Sequence, residues 1–290
     1  MLSVVSFGEA LIDFIPVNEG NYFPFVGGAP ANVAAAVAKL GGQSHFLGGI
    51  STDSFGQLIK QQLTSIKVKL APELITTEKT AMVVVSLDDN GERSFQFYRD
   101  NTADLAVTTE TLNTLNWSQF DIFHFCSNTM TEERIFDSTL FALSQANKHQ
   151  TVVSFDVNLR LNLWPKNSND LLLQRFYQVV TFCDVIKFSD EELLHLCKIS
   201  SLDETSVLKH LFASGVKVIL VTAGGEAVKI ITPEFNAEVQ PPTTNAIDTT
   251  AGGDSFIGGF LYQLSLVSKG TIYQVLSSQD VLVNAVEFAS

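Results

Sequence analysis

Acids, hydroxyls and adjacent glycines are concentrated in one stretch, Asn245-Ala-Ile-Asp-Thr-Thr-Ala-Gly-Gly-Asp-Ser-Phe-Ile-Gly-Gly-Phe260. Asp248, Thr249 and Thr250 have the character of a turn, and Gly252 and Gly253 allow close approach of backbone or ligand. Phe256, Ile257, Phe260, Leu261 and Leu264 then recur at helical spacing. A helix starting near Gly252 would direct its unpaired N–H groups and positive dipole end out of the turn. That is an anion site, typically for phosphate. Asp254 falls in the first turn, beside the anion. A carboxylate there does little for anion affinity, but it can act as a base for a nucleophile attacking a phosphoryl group. The alternative is an ordinary first-turn acid behind a tight glycine loop.

Other polar groups need strands to carry them. Ile122–Cys126, Thr151–Asp156, Val185–Phe188 and Val218–Thr222 read as strands. Residues 131–148, 170–183, 190–198 and 206–214 read as helices between them. Repeated strand–helix units predict a mostly parallel sheet covered on both faces. Ligands bind such sheets at the carboxyl ends of the strands. That rule selects Asp156-Val-Asn-Leu-Arg160, the segment from Lys187 to Glu192, and Thr222-Ala-Gly-Gly225.

The N-terminal half follows the same pattern, with one interruption. Ser3–Gly8 reads as a buried strand, and Asp13 stands among Leu11, Ile12, Phe14 and Ile15 as a salt-bridged edge residue or a ligand group. Pro30 suits the first turn of an Ala-rich helix that Gly41 and Gly42 end. Phe46–Ile50 reads as a strand and Asp53–Leu63 as a helix. Thr80–Leu87, the turn Asp88-Asp-Asn-Gly91 and Arg93–Arg99 predict an antiparallel hairpin. Phe95 and Phe97 share one of its faces. With residues 14–26 it forms a small sheet standing off the main one. Pro233–Thr244 and Leu163–Asn169 read as short linkers.

Composition narrows the function. The 290 residues are 46% hydrophobic and 17% charged, as in a compact globule. A net charge of −13 opposes nucleic-acid binding, which needs a basic face. It also leaves any phosphate site dependent on local amides, cations and metal. No apolar run approaches the roughly 18 residues of a membrane span. The N-terminus has no basic region or cleavage site, and Cys126, Cys183 and Cys197 lack paired spacing, so a cytoplasmic setting with reduced thiols is expected. Asn116-Trp-Ser118 matches a glycosylation sequon and is read as chance. Glu192-Leu-Leu-His195 occurs in one copy, so a di-iron bundle is discarded.

Two signatures in order give the chain a recognisable form. The first is Gly27-Gly-Ala-Pro-Ala-Asn32, then Lys39-Leu-Gly-Gly42 and Gly48-Gly-Ile-Ser-Thr-Asp-Ser-Phe-Gly56. The second is Asp248-Thr-Thr-Ala-Gly-Gly-Asp-Ser-Phe256. With them the chain resembles the ribokinase-type (PfkB) carbohydrate kinases over nearly its whole length, and most of all the fructokinase branch. The resemblance implies one ribokinase-like α/β/α domain over 1–290 with a β-sheet lid from about 14–26 and 80–100. It implies ATP and Mg2+, with a monovalent cation such as K+ near Asp248. It matches Asp13, Gly28, Asn32 and the lid residue Phe97 to sugar-contacting positions, and Arg160 to the substrate side. Lys187, Thr222, Gly224, Gly225 and Gly253 fall on the nucleotide side. Glu192 matches an acid that supports magnesium through water, with Ser189 where the family has asparagine. Asp254 matches the general base, and the amides of Ala251, Gly252 and Gly253 match the cradle of the transferring phosphoryl group. A homodimer through the lid is an open expectation.

Three departures matter. The family's anion loop usually reads Gly-Ala-Gly-Asp, whereas here it is Ala251-Gly252-Gly253-Asp254. If position 251 needs a positive φ, alanine costs on the order of 1 kcal/mol there, and reduced kinase activity is expected. Ala227 stands where the family usually has another glycine, so that loop is expected to differ. Relatives generally continue beyond Ser290 with residues that close the adenine pocket, so weak ATP affinity is expected. The resemblance leaves 2-keto-3-deoxygluconate kinase and a catalytically weakened sugar-binding or regulatory relative as alternatives.

Overall fold

The computed structural model describes residues 1–18, 20–87, 93–243 and 251–290. The expected turn at Asp88–Gly91 and the segment with Asp248 lie outside these residues. The chain opens with β1 (Ser3–Phe7), β2 (Leu11–Asn18), β3 (Asn21–Gly27), α1 (Ala29–Lys39), β4 (Gln43–Leu47), β5 (Ile50–Ser51) and α2 (Ser54–Ser65). Short β6 (Lys69–Leu70) and β7 (Ile75–Thr76) precede β8 (Met82–Leu87), β9 (Arg93–Tyr98) and α3 (Thr109–Asn113). The alternating part follows as β10 (Ile122–Cys126), α4 (Glu133–Lys148), β11 (Val152–Asp156), α5 (Asn169–Val180), β12 (Val185–Ser189), α6 (Asp190–Ser200), α7 (Glu204–Ala213) and β13 (Val218–Thr222). The chain closes with β14 (Val228–Ile231), β15 (Asn236–Val239), α8 (Gly252–Ser265), α9 (Ile272–Val275) and α10 (Gln279–Ala289).

Among the described residues the larger sheet runs β15-β14-β13-β12-β11-β10-β1-β4-β6. It is parallel from β6 to β13. β14 and β15 add antiparallel strands at one edge. Every residue of β1, β10 and β11 is buried, which explains why these strands are mostly apolar, with only Ser3, Ser6, His124, Ser154 and Asp156 as polar members. Val4, Ile122, Val152, Val185 and Val218 join one core with Val33, Val37, Ile257, Phe260 and Val286 of α1, α8 and α10. Phe7, Phe123, Phe125, Phe155 and Phe188 join the other core with residues of α4, α5, α6 and α7. The result is a three-layer α/β/α arrangement. Pro233–Thr244 is not only linker, because it carries β15. Four residues with exposed Asn236 and Glu238 are too few for a legible alternation.

The smaller sheet has the order β3-β2-β8-β9, with β2 and β8 parallel and the outer pairs antiparallel. The expected hairpin is present, and its partner strands span more than 14–26. Register places Phe25, Asp13, Val83 and Phe97 in one row across the four strands. Strand order in the larger sheet turns about β1, which has β4 on one side and β10 on the other. The carboxyl ends of β1 and β10–β13 therefore open together, at the place where ligands bind such sheets.

Candidate active site

A cavity of about 680 Å³ lies between these strand ends, the N-terminus of α8 and one face of the smaller sheet. Asp13, Gly28, Asn32, Phe97, Arg160, Lys187, Glu192, Thr222, Ala251, Gly252, Gly253 and Asp254 all line it. Segments more than 200 residues apart in the chain thus share one wall.

Asp254 sits in the first turn of α8 and is 9% exposed. The Asn32 Nδ2 donates to its Oδ2 at 2.9 Å, and the Asn158 Nδ2 donates to its Oδ1 at 3.3 Å. Burial pushes the carboxyl above its usual range, while the Asn32 amide and the charges of Arg160 and Lys187 pull it back. Asn32 lies inside the first turn of α1, whose N-cap is Gly28, so it is not a cap. Gly28 has φ 104, and a Cβ there would meet the Glu9 carbonyl oxygen at 2.6 Å. Asp13 faces the cavity from β2, and burial, then Glu9 and Asp254, raise its pKa to about 6. Phe97 packs partly on Leu11, Ala81 and Val83 and leaves an aromatic surface over the cavity. Arg160 is exposed at the rim.

The opposite end is built from β12, α6 and β13. Ser189 caps α6 in a reciprocal capping box: its Oγ accepts from Glu192 N at 3.1 Å, and Glu192 Oε2 accepts from Ser189 N at 2.8 Å. Glu192 Oε1 accepts from Leu159 N at 2.7 Å. Glu192 is therefore half-buried and ties α6 to the segment after β11. Lys187 Nζ lies 3.1 Å from both carboxylate oxygens of Asp156, and both residues are buried. Burial pulls the lysine pKa down, but Asp156 and Glu192 outweigh it and hold the ammonium charged. Its Nζ is 3.1 Å from where a Cβ of Gly253 would stand, so a cation adjoins the α8 terminus.

Thr222 lines the cavity, but Gly224 and Gly225 do not. They form an exposed turn before β14, closed by Glu226 N donating to Ala223 O. Gly224 carries the positive φ of that turn, and Ala227 has an ordinary backbone, so the alanine causes no strain.

At the N-terminus of α8, Ala251 has φ 59 and ψ 16, a left-handed conformation. Gly252 is helical, and a Cβ built on it would meet nothing within 4 Å. The residue that tolerates φ > 0 and the residue that must adopt it are transposed. First-turn N–H groups have no partner within a helix, so those of Gly252 and Gly253 remain available to an anion.

Asp156 and Asn158 line the cavity with the roles just described, although only the segment containing them stands out in the sequence. Glu9 and Asn128 give less signal. Glu9 is 2% exposed and accepts from Asn128 Nδ2 at 2.9 Å and Ala29 N at 3.2 Å. An acid between Gly8 and Ala10, in the short link from β1 to β2, is the available clue. Asn128 follows β10 without a distinctive neighbour.

The whole chain, residues 1–290, matches the model of the pfkB family carbohydrate kinases. It is 34% identical over 295 aligned positions to "Probable fructokinase-5" of Arabidopsis thaliana, covering 99% of this chain and 89% of the relative. The structure of Xylella fastidiosa fructokinase with bound ATP superposes with a TM-score of 0.92 at 34% identity, covering 99% of this chain and 89% of that one. A Vibrio cholerae fructokinase double mutant with fructose, ADP and potassium bound gives 0.86 at 32% identity, covering 100% and 90%. The three-layer α/β/α arrangement, the smaller sheet over the cavity and the match along the whole sequence agree: the chain is a carbohydrate kinase of the pfkB family.

Proposed function

We propose that the chain transfers the terminal phosphoryl group of ATP to the primary hydroxyl of fructose or a closely related ketose, with Asp254 as general base. The observation that carries this reading is the Asp254 carboxylate, fixed by Asn32 and Asn158 at the N-terminus of a helix inside the cavity. The names of the relatives support the sugar. As the hydroxyl oxygen forms its bond to phosphorus, its proton passes to Asp254. The bond to the departing ADP oxygen breaks and its electron pair leaves with ADP. The amides of Ala251, Gly252 and Gly253 and the ammonium of Lys187 lie where charge on the transferring group would be stabilised.

Asp13 and Asn32 offer the acceptor and donor groups that adjacent sugar hydroxyls require, and Gly28 lets the backbone approach. Phe97 covers the sugar from the smaller sheet, which acts as a lid that excludes water. The reading takes residues 1–290 as one domain with that lid. Thr222, with the Gly224–Gly225 turn outside it, borders the nucleotide. Each Glu192 oxygen has one lone pair engaged by a backbone N–H and another free, which suits a magnesium ion held through water. Among the described residues no three His, Cys, Asp or Glu side chains converge to bind a metal directly, so the ion would be carried mainly by phosphates. Magnesium would supply neutralisation of phosphate charge. A K+ site at Asp248 remains an expectation for residues outside those described. The exposed Phe23 and Phe25 on the lid support a homodimer through that sheet. The free thiols of Cys126, Cys183 and Cys197 suit the cytoplasm. No helix is long and apolar enough to cross a membrane among the described residues.

Arg160 at the rim favours a second reading, 2-keto-3-deoxygluconate, whose carboxylate it could pair. The left-handed Ala251 favours slow turnover. An ADP-release assay over a panel of ketoses, aldoses and keto-acid sugars tests all three. Fructose-dependent ADP release that Asp254→Asn abolishes is expected. ADP release only with the keto acid, or equal rates with and without any sugar, overturns the fructose reading.

A further inference from the structure

We infer that Asn158 is a positioning residue for Asp254, orienting the carboxylate toward the sugar hydroxyl through its side-chain amide. The inference rests on Asp254 being the base. Asn158 lies just after β11, is 7% exposed and has φ 37, a left-handed backbone in a non-glycine residue. The segment is tied down from three directions. Val157 N donates to Lys187 O at 3.0 Å, Leu159 N to Glu192 Oε1 at 2.7 Å, and Ser127 Oγ to Asn158 O at 3.3 Å. The surroundings therefore impose the backbone conformation.

What the conformation delivers is the amide. Asn158 Nδ2 reaches Asp254 Oδ1 while Asn32 Nδ2 reaches Oδ2, giving one donor to each carboxylate oxygen. Two donors on opposite oxygens fix the plane of the carboxylate and leave a lone pair on each for the hydroxyl proton. A donor on a carboxylate oxygen also favours the charged form, the form a base needs, as the Asn32 amide does here. The charged and titratable groups acting with Asp254 are Arg160, Lys187, Asp13, Asp156 and Cys126, from the rim, β12, β2, β11 and β10. Neither asparagine titrates, so the pair sets geometry without adding charge.

Asparagine is among the residues that tolerate a left-handed backbone, so it could be present for that reason alone. Asn158→Gly separates the two causes. Glycine keeps the backbone without strain and removes only the amide. If the amide positions the base, kcat falls about tenfold, the acid limb of the kcat/KM profile moves to higher pH, and KM for ATP stays within about twofold. The melting temperature is equal to wild type or higher. Asn158→Asp serves as a second variant: it keeps the size and tolerates the backbone but sets a like charge beside Asp254, and moves the acid limb further up. Wild-type kcat and an unmoved acid limb in either variant overturn the inference while leaving Asp254 as base. Sugar-dependent ADP release that survives Asp254→Asn overturns the base assignment, and the inference falls with it.

Discussion

Asn32 and Asp254 stand 222 positions apart in sequence, yet the amide of one donates to the carboxylate of the other at 2.9 Å. One helical turn further along, Ala36 of α1 and Gly258 of α8 face each other so closely that a Cβ on Gly258 would lie 2.6 Å from the Ala36 Cβ. Residues i and i+4 share a helix face. The small residues at 36 and 258 therefore set the separation that lets 32 and 254 meet. The alanine-rich run of α1 and the glycines of α8 are packing devices with a catalytic consequence.

Gly258→Ala tests that coupling. The added methyl must push the two helices apart, at a cost of about 1–3 kcal/mol. A fall of several degrees in melting temperature is expected, together with a lower kcat, because Asn32 and Asp254 separate. Adding Ala36→Gly removes the opposing methyl and should restore both. Scanning calorimetry and the coupled assay on the single and double variants check this. A single variant that loses stability but keeps kcat would dissociate packing from the site.

The order of residues 251 and 252 gives a second test. Alanine in a left-handed conformation is strained by roughly 1 kcal/mol, and glycine inside a first turn forgoes up to a similar amount. A Cβ at position 252 meets nothing within 4 Å. Exchanging the two residues, Ala251→Gly with Gly252→Ala, should therefore raise stability by about 1–2 kcal/mol and raise turnover. Unchanged turnover with a higher melting temperature would show that the order affects folding alone.

Asp13 links pH to both binding and stability. Its pKa rises from 3.8 to about 6 on folding, first through burial and then through Glu9 and Asp254. The folded state therefore holds this proton more tightly than the unfolded chain. Stability from this group is present below about pH 4 and is lost as pH rises through about 6. Sugar binding needs the carboxylate as acceptor and runs the other way. KM for the sugar should climb as pH falls below about 6, with KM for ATP flat. Asp13→Asn should remove that pH dependence, weaken sugar binding by more than tenfold, and stabilise the free protein at pH 7 by on the order of 1–3 kcal/mol. An unchanged sugar KM in this variant would remove Asp13 from the sugar site.

Much of this arrangement was legible in the residues. Mostly apolar runs such as Val152–Phe155 and Val218–Val221, separated by helical periods, specify a covered parallel sheet, and the rule for strand ends then selects Asp156–Arg160 and Lys187–Glu192. The helix from Gly252 follows from spacing alone. Glu9 and Asn128 did not announce themselves, because a buried polar residue is recognisable only through its partners, which come from distant segments. The strand-end rule and the family resemblance both select the Gly224–Gly225 turn, but it lies outside the cavity wall. β15 escaped because an edge strand of four residues with polar neighbours resembles a loop. The family resemblance marks Glu192 as an acid that supports magnesium through water. It could not reveal that both its oxygens also hold backbone N–H groups.

That double role of Glu192 makes the last prediction. Its carboxylate completes the cap of α6 and anchors Leu159, next to Asn158 and Arg160. Glu192→Ala would leave two backbone donors without their acceptor, and a loss of about 1–3 kcal/mol is expected. Glu192→Gln keeps one carbonyl oxygen but turns the other acceptor into a donor facing a backbone N–H, so it should lose part of that stability. If the carboxylate also supports magnesium through water, Glu192→Gln should raise the Mg2+ concentration for half-maximal activity several-fold. A cap that acts only structurally would lower the melting temperature and leave the Mg2+ response at its wild-type midpoint. Measuring both quantities on the same preparations separates the anchor from the metal support, because only the second depends on charge at the cavity wall.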